Sequence, residues 1–349
     1  MPVTIIDALT RHQAYLEMYK LGLEPNVDAV LAQIYPELAA LLAATKVDRL
    51  NALTKKKLNE LIRKLQGAQY KRFTLFRKNM LKELRAFAEG EAQLNVQVFE
   101  TVEDKSLEAA YADKGELAAL LGLLALAKNA AGRARLWALV SSAPDPASGL
   151  TLTQLLTEYT RYVTEGMRKL IVQGYANGWT ISETLKAIFG SKANGFKDGF
   201  TAKAKRQGAT VLHTIVQHVS SQVQAGVASI FYKFYEWVAI IDDATTDICR
   251  SRDGKVFVYG KGPLPPAHYR CRSRAVPVPK GKTYNDVPGN FYAWLALQPV
   301  AVQNDVVGLS VAGRLRNGRI DPATLGKFRA GKPLTLAQFL AKFGLIVKS

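Results

Sequence analysis

Apolar side chains recur every three or four residues from Ile5 to about Glu100, which commits the first part of the chain to helices with one buried face. Pro25 and Pro36 are expected to mark breaks between successive helices. The clearest stripe is Phe73, Phe76, Met80, Leu84 and Phe87, whose other faces carry Lys71, Arg72, Arg77, Lys78, Lys82 and Arg85. The preceding stretch has the same design, with Leu58, Leu61, Ile62 and Leu65 flanked by Lys55, Lys56, Lys57, Arg63 and Lys64. Two readings of this basic face are open. One is a solvated helical surface, as most charge runs are; the other is contact with a polyanion.

Charge gives the second reading weight. Forty-seven Lys and Arg against 29 Asp and Glu leave a net charge of +18, which implies a polyanionic neighbour or an acidic protein partner. Lysines and arginines on a helix face neutralise phosphates without reading bases. No zinc-finger spacing, helix-turn-helix signature, ribonucleoprotein motif or phosphate-binding glycine loop occurs, which argues against a sequence-specific regulator.

At 349 residues the chain has room for two or three domains. Its two cysteines, Cys249 and Cys271, are too few for a disulfide framework and point to a reducing compartment. Met1 to Asp7 lacks the basic start and apolar core of a secretory signal, so none is expected. The longest apolar run, Leu117 to Lys128, falls short of the roughly 20 residues a bilayer requires. It is expected to be a buried helix, and no stable membrane span is expected.

The fold class expected is mainly α with a small β-sheet in the C-terminal half. Residues 1–140 read as a basic helical region, and the Pro/Ser/Gly-rich stretch 141–149 reads as a linker. Residues 150–282 read as an α+β domain and 283–349 as a helical C-terminal segment. Within the α+β part, helices are expected over Leu150 to about Gln173 and Thr201 to about Ile230. Thr180-Ile181-Ser182-Glu183 has the spacing of a capping box, and Gly190 to Gly199 reads as a loop. Aromatic and β-branched residues then predict short strands at Tyr235 to Ile241, Lys255 to Tyr259 and Cys271 to Val278.

The most informative residues lie across those strands. Trp237 leads into Asp242-Asp243, Thr246 and Cys249; Asp253-Gly254 follows, and then Pro265-Pro266-Ala-His268-Tyr-Arg-Cys271-Arg272-Ser273. Asp253-Gly254 between extended pieces is a hairpin-turn signal, because glycine supplies a positive φ. Pro265-Pro266 fixes an extended approach that delivers His268 and Cys271 to one spot, near Cys249 and the Asp242/Asp243 turn.

This series resembles the signature of the Mu F-like phage head-morphogenesis family, which has a Trp-led strand, an Asp and Thr turn, a Cys, an Asp-Gly turn and a Pro-Pro-x-His-x-x-Cys-Arg ending. A second block looks like the C-terminal part of the same minor head proteins: Phe291 to Pro299 with Trp294 and Gln298, Gln303 to Gly308, Arg319-Ile-Asp321 and Leu334-Thr335-Leu336. The resemblance covers roughly the C-terminal half.

The resemblance implies a structural virion component of the phage head, a minor capsid protein near the portal, made in the host cytoplasm and present in several copies per virion. Implied partners are the portal protein, the major capsid or scaffolding protein, and double-stranded DNA held without sequence preference. Roles in head assembly, DNA packaging and genome ejection follow from it, and the basic face described above becomes a DNA or portal contact. The competing readings are a free DNA-binding protein and a nuclease- or toxin-like protein using Cys249, His268 and Cys271.

Four uses of those three residues are open. They offer three ligands for zinc, whereas a structural site normally has four; Arg252 and Ser273 stand where a fourth Cys would be convenient. The cysteines could form a disulfide, or pack as free thiols, which is the leading reading. A catalytic Cys-His pair oriented by Asp242 or Asp243 is the fourth. No complete active site and no cofactor is recognisable. His213 and His218 are five apart on a helix, the wrong spacing to share a metal, and His12 is isolated. Phe231, Tyr232, Phe234, Tyr235 and Trp237 suit a core or interface better than base stacking.

Overall fold

The computed structural model describes residues 5–103, 130–278, 291–321 and 330–345. The run Leu117 to Lys128 lies outside them. Among the described residues no helix is long and apolar enough to cross a membrane.

Two long helices open the chain, α1 (Ile5–Ala43, 39 residues) and α2 (Lys55–Glu103, 49 residues). Pro25 and Pro36 therefore do not break the first one, contrary to the sequence expectation. Each proline removes one backbone donor, but Leu23, Val27, Val30, Ile34 and Leu38 are all buried along the same stretch, and that packing holds the helix continuous. Next come α3 (Ala130–Ser142), α4 (Leu152–Ala176), α5 (Ile181–Phe189) and α6 (Phe200–Phe231). The α5 start is the predicted capping box: Thr180 accepts from the Glu183 amide and Glu183 accepts from the Thr180 amide.

The C-terminal half is built from β1 (Phe234–Val238), α7 (Asp247–Arg252), β2 (Val256–Val258), β3 (Arg274–Val278), α8 (Phe291–Ala296), α9 (Val300–Arg316, broken at Gly308) and α10 (Leu336–Ala341). The sheet is antiparallel in the order β2-β1-β3, with Tyr235 opposite Phe257 on one side and Pro277 on the other. Among the described residues the fold is thus mainly α with a small three-stranded sheet in the C-terminal half. Of the stretch 141–149, Ser141 and Ser142 end α3 and 143–149 form an ordered turn: Asp145 is buried, accepts the Ser148 hydroxyl at 2.6 Å, and its amide donates to the Leu150 carbonyl.

Compaction follows helix packing and not chain order. One unit comprises residues 23–82 and 152–212, the other 1–22, 83–151 and 213–349. In the first, the stripe residues Phe73 and Phe76 pack edge-on and tilted against Tyr159 of α4. Gly208 of α6 approaches Val27 and Tyr159 so closely that a Cβ would stand 2.7–2.8 Å from them. In the second, α10 lies on the start of α1, where Phe339 meets His12 and Tyr19 and where Gly22 has no room for a Cβ beneath the Leu334 carbonyl. The C-terminal segment also bonds to α1 through Trp294 to Asp7, Arg11 to Gln298 and Tyr15 to Asp305.

Candidate functional site

Trp237 sits at the middle of the sheet, fully buried with Tyr235 and Glu236, so β1 is covered on both faces. Just beyond it the Ala239 amide donates to Asp253 Oδ1 at 2.7 Å, pinning the chain before its turn. Asp242 then closes that turn on itself. Its Oδ1 accepts the Ala244 amide at 2.8 Å, and Thr245 donates its hydroxyl to the Ile240 carbonyl. Thr246 is the residue before α7, and α7 presents Cys249 inward. The guanidinium of Arg252 covers the Trp237 ring 5.0 Å from its centroid.

Asp253-Gly254 makes the turn out of α7 into β2, with Gly254 at φ +73°, and the Gly254 amide bonds to the Trp237 carbonyl. The positive φ is as expected, but a helix stands between the strands where a direct hairpin was anticipated. Pro265 and Pro266 are buried and joined by a cis bond. His268 Nδ1–H donates to the Tyr269 carbonyl at 2.8 Å, and the Cys271 amide donates to the His268 carbonyl at 3.1 Å. Arg272 then pairs with Asp242 through two bonds of 2.6 Å each.

The sequence therefore brings Trp237, Asp242, Thr246, Cys249, Asp253, Gly254, Pro265, Pro266, His268, Cys271 and Arg272 into one module. Cys249 Sγ lies 3.2 Å from His268 Nε2 and 3.7 Å from Cys271 Sγ. A disulfide has a bond of about 2.05 Å, so these are two free thiols. They pack with Trp237, against which Ala239, Phe257 and Ala267 close. The hydrogen bond between the two thiols, with burial, pushes the Cys249 thiol up. The Cys271 thiol is held well below its ordinary value by that bond and by His268, and the bond to Cys271 raises His268 in turn. Asp243 is exposed and Asp242 is engaged by Arg272, so neither carboxylate orients His268; its Nδ1 partner is a backbone carbonyl. The Cys-His-Asp arrangement, weighed as one alternative to packed free thiols, is not formed. Ser273 is buried with its hydroxyl against Cys249.

On the basic stretch, Lys55, Lys56, Lys57, Arg63, Lys64, Lys71, Lys78, Lys82 and Arg85 are exposed, whereas Arg72 and Arg77 are half-buried. Arg72 is engaged by Glu37, Lys64 by Glu60, Arg85 by Glu89, and Arg77 donates to the Thr157 hydroxyl. Arg63, Lys64, Lys71 and Arg72 line a shallow groove floored by Gly67, Ala68 and Leu75.

The sequence reading missed a second cluster. His12 is fully buried between Arg274, which donates to its Nδ1, and Glu91, which accepts from its Nε2–H. Around them Gln13, Lys20, Gln217 and Gln224 complete a buried polar network whose reach extends to the Ser273 and Ala275 carbonyls. Desolvation and Arg274 hold His12 below the ordinary imidazole value against the pull of Glu91. Only tertiary contact could have revealed it, since its members come from α1, α2, α6 and β3.

No protein-family profile, curated protein or solved structure matches this chain.

Proposed function

We propose that this chain is a phage minor capsid protein acting in head morphogenesis, a structural component of the virion head that sits near the portal. The observation carrying this reading is that the residues of the Mu F-like resemblance, from Trp237 to Arg272, form one interlocked module and are not scattered over the surface. Asp242 and Arg272, thirty positions apart, are bonded to each other, and Cys249, His268 and Cys271 meet beside buried Trp237.

The second support is the exposed basic face of α2. A protein beside densely packed duplex DNA gains from such a face through counterion release and has no need of base-reading chemistry. On this reading the module supplies the portal or capsid contact and the α2 face supplies non-specific DNA contact. The virion head is its place, with assembly in the host cytoplasm.

The test is co-purification of the tagged full chain with the portal and major capsid proteins of the same genome, repeated in high salt. Salt-resistant, stoichiometric association with the portal is the expected result. Loss of all association with both proteins, with tight salt-sensitive binding to DNA, replaces the proposal with a free DNA-binding protein.

A further inference from the structure

The assembly role leaves Cys249, His268 and Cys271 without a chemical task. We propose that these three side chains hold a zinc(II) ion in a tetrahedral site whose fourth corner is a solvent molecule. Two thiolates and an imidazole are a donor set zinc favours, and a three-ligand site with an open corner is one of its established coordination patterns.

Distances carry the argument. With Zn–S near 2.3 Å and Zn–N near 2.0–2.1 Å, a tetrahedral ion sets two sulfurs about 3.8 Å apart and a sulfur and nitrogen about 3.6 Å apart. The two sulfurs stand 3.7 Å apart and the Cys249 sulfur is 3.2 Å from His268 Nε2. All three ligand atoms lie within 4.8 Å of one another. Widening the Cys249–His268 separation by about 0.4 Å brings that pair to the tetrahedral value, and the imidazole is half-buried on a loop.

The surrounding groups are arranged as a metal requires. Because the Tyr269 carbonyl can only accept, His268 Nδ1 carries its proton, and in the neutral ring the Nε2 lone pair faces the sulfurs. A backbone carbonyl on the far nitrogen is the usual way of fixing a ligand histidine. Trp237, Ala239, Phe257 and Ala267 shield the inner side, and the half-buried His268 edge is the way in. On binding, the two thiols give up their protons to solvent and no electron moves. The ion then ties α7, in the β1–β2 connection, to the loop that leads into β3.

The experiment uses the full chain, purified without chelator, assayed for metal and then titrated with Co(II) in place of zinc. The expected result is about one zinc per chain and, with Co(II), the visible bands of a tetrahedral site together with a thiolate-to-metal charge-transfer band. Both thiols should resist alkylation until a chelator is added. Cys249→Ser should weaken metal binding at least tenfold. If that variant misfolds, the wild-type Co(II) spectrum and alkylation protection still decide. A folded chain that takes up neither ion overturns the proposal, as does an octahedral Co(II) spectrum without charge transfer. An intact mass lighter by two hydrogen atoms, marking a Cys249–Cys271 disulfide formed by oxidation, also overturns it. None of these outcomes bears on portal association.

Discussion

Arg272 holds Asp242 with both of its terminal nitrogens, Nη1 on Oδ2 and Nη2 on Oδ1, each at 2.6 Å, and the Asp242 side chain is wholly buried. The pair joins the turn after β1 to the strand entry of β3, so it fixes the two ends of the module at once. Removing one partner strands the other charge in a desolvated site. Asp242→Ala should therefore cost about 3 kcal/mol, near the lower end for breaking a buried pair because Arg272 keeps some exposure. Arg272→Lys keeps the charge but loses the fork, and should cost about 1–2 kcal/mol. Denaturant midpoints for both variants and the double variant check this, and a purely additive double variant would contradict the pairing.

His12 gives a pH dependence whose sign follows from its contacts. Arg274 donates to Nδ1, so a proton there would face another donor, and the ring stays neutral in the folded chain. The folded value is lowered, so the unfolded chain binds the proton first, and stability is full above the ordinary 6.5 and falls as pH drops through it. His218, also lowered by burial, acts in the same direction, whereas His268, raised, acts in the opposite one. Below 4.5 a second loss sets in as Glu91, held low by His12 and Arg274 despite its burial, takes up a proton. Melting temperatures of wild type and His12→Gln across this range should converge as the pH falls. A constant gap between them would show that His12 does not titrate.

How much of this was legible in the sequence depends on the distance over which each feature is decided. The Phe73 to Phe87 stripe and the Thr180–Glu183 box are set within one or two helical turns, and both form as read. The strands β1, β2 and β3 fall where aromatic and β-branched residues cluster, each shorter than expected because the flanking residues are spent on turns. Pro25 and Pro36 misled because burial of their neighbours outweighs a local breaking signal. The meeting of Cys249, His268 and Cys271 was anticipated, but the partner of Asp242 was not, since nothing local distinguishes Arg272 from the arginines around it. His12 looked isolated because its partners are Glu91 and Arg274, 79 and 262 positions away.

The capping box offers a local stability test in the other unit. Thr180 accepts the Glu183 amide at 3.1 Å, and Glu183 returns a 2.7 Å bond to the Thr180 amide. Thr180→Ala leaves those first-turn donors to water and should lower stability by about 1 kcal/mol, measured by denaturant unfolding. Thr180→Ser should recover nearly all of it, because the hydroxyl is what the amide needs. A serine variant as unstable as the alanine one would place the loss elsewhere.

The basic face of α2 is the feature whose function can be measured most directly. Arg63, Lys64 and Lys71 line one groove and are exposed, so replacing them together with glutamine removes three charges without opening the core beneath. Stability should change by less than about 0.5 kcal/mol, as for other surface positions. If the face lies on duplex DNA, each lost phosphate contact lowers the slope of log affinity against log salt by about 0.9, so the triple variant should lose up to about 2.7. The loss should be the same for unrelated DNA sequences, because these side chains meet phosphates and not base edges. An unchanged slope would assign the face to solvent. A portal interaction lost in the same variant, with DNA binding intact, would instead make it a protein contact.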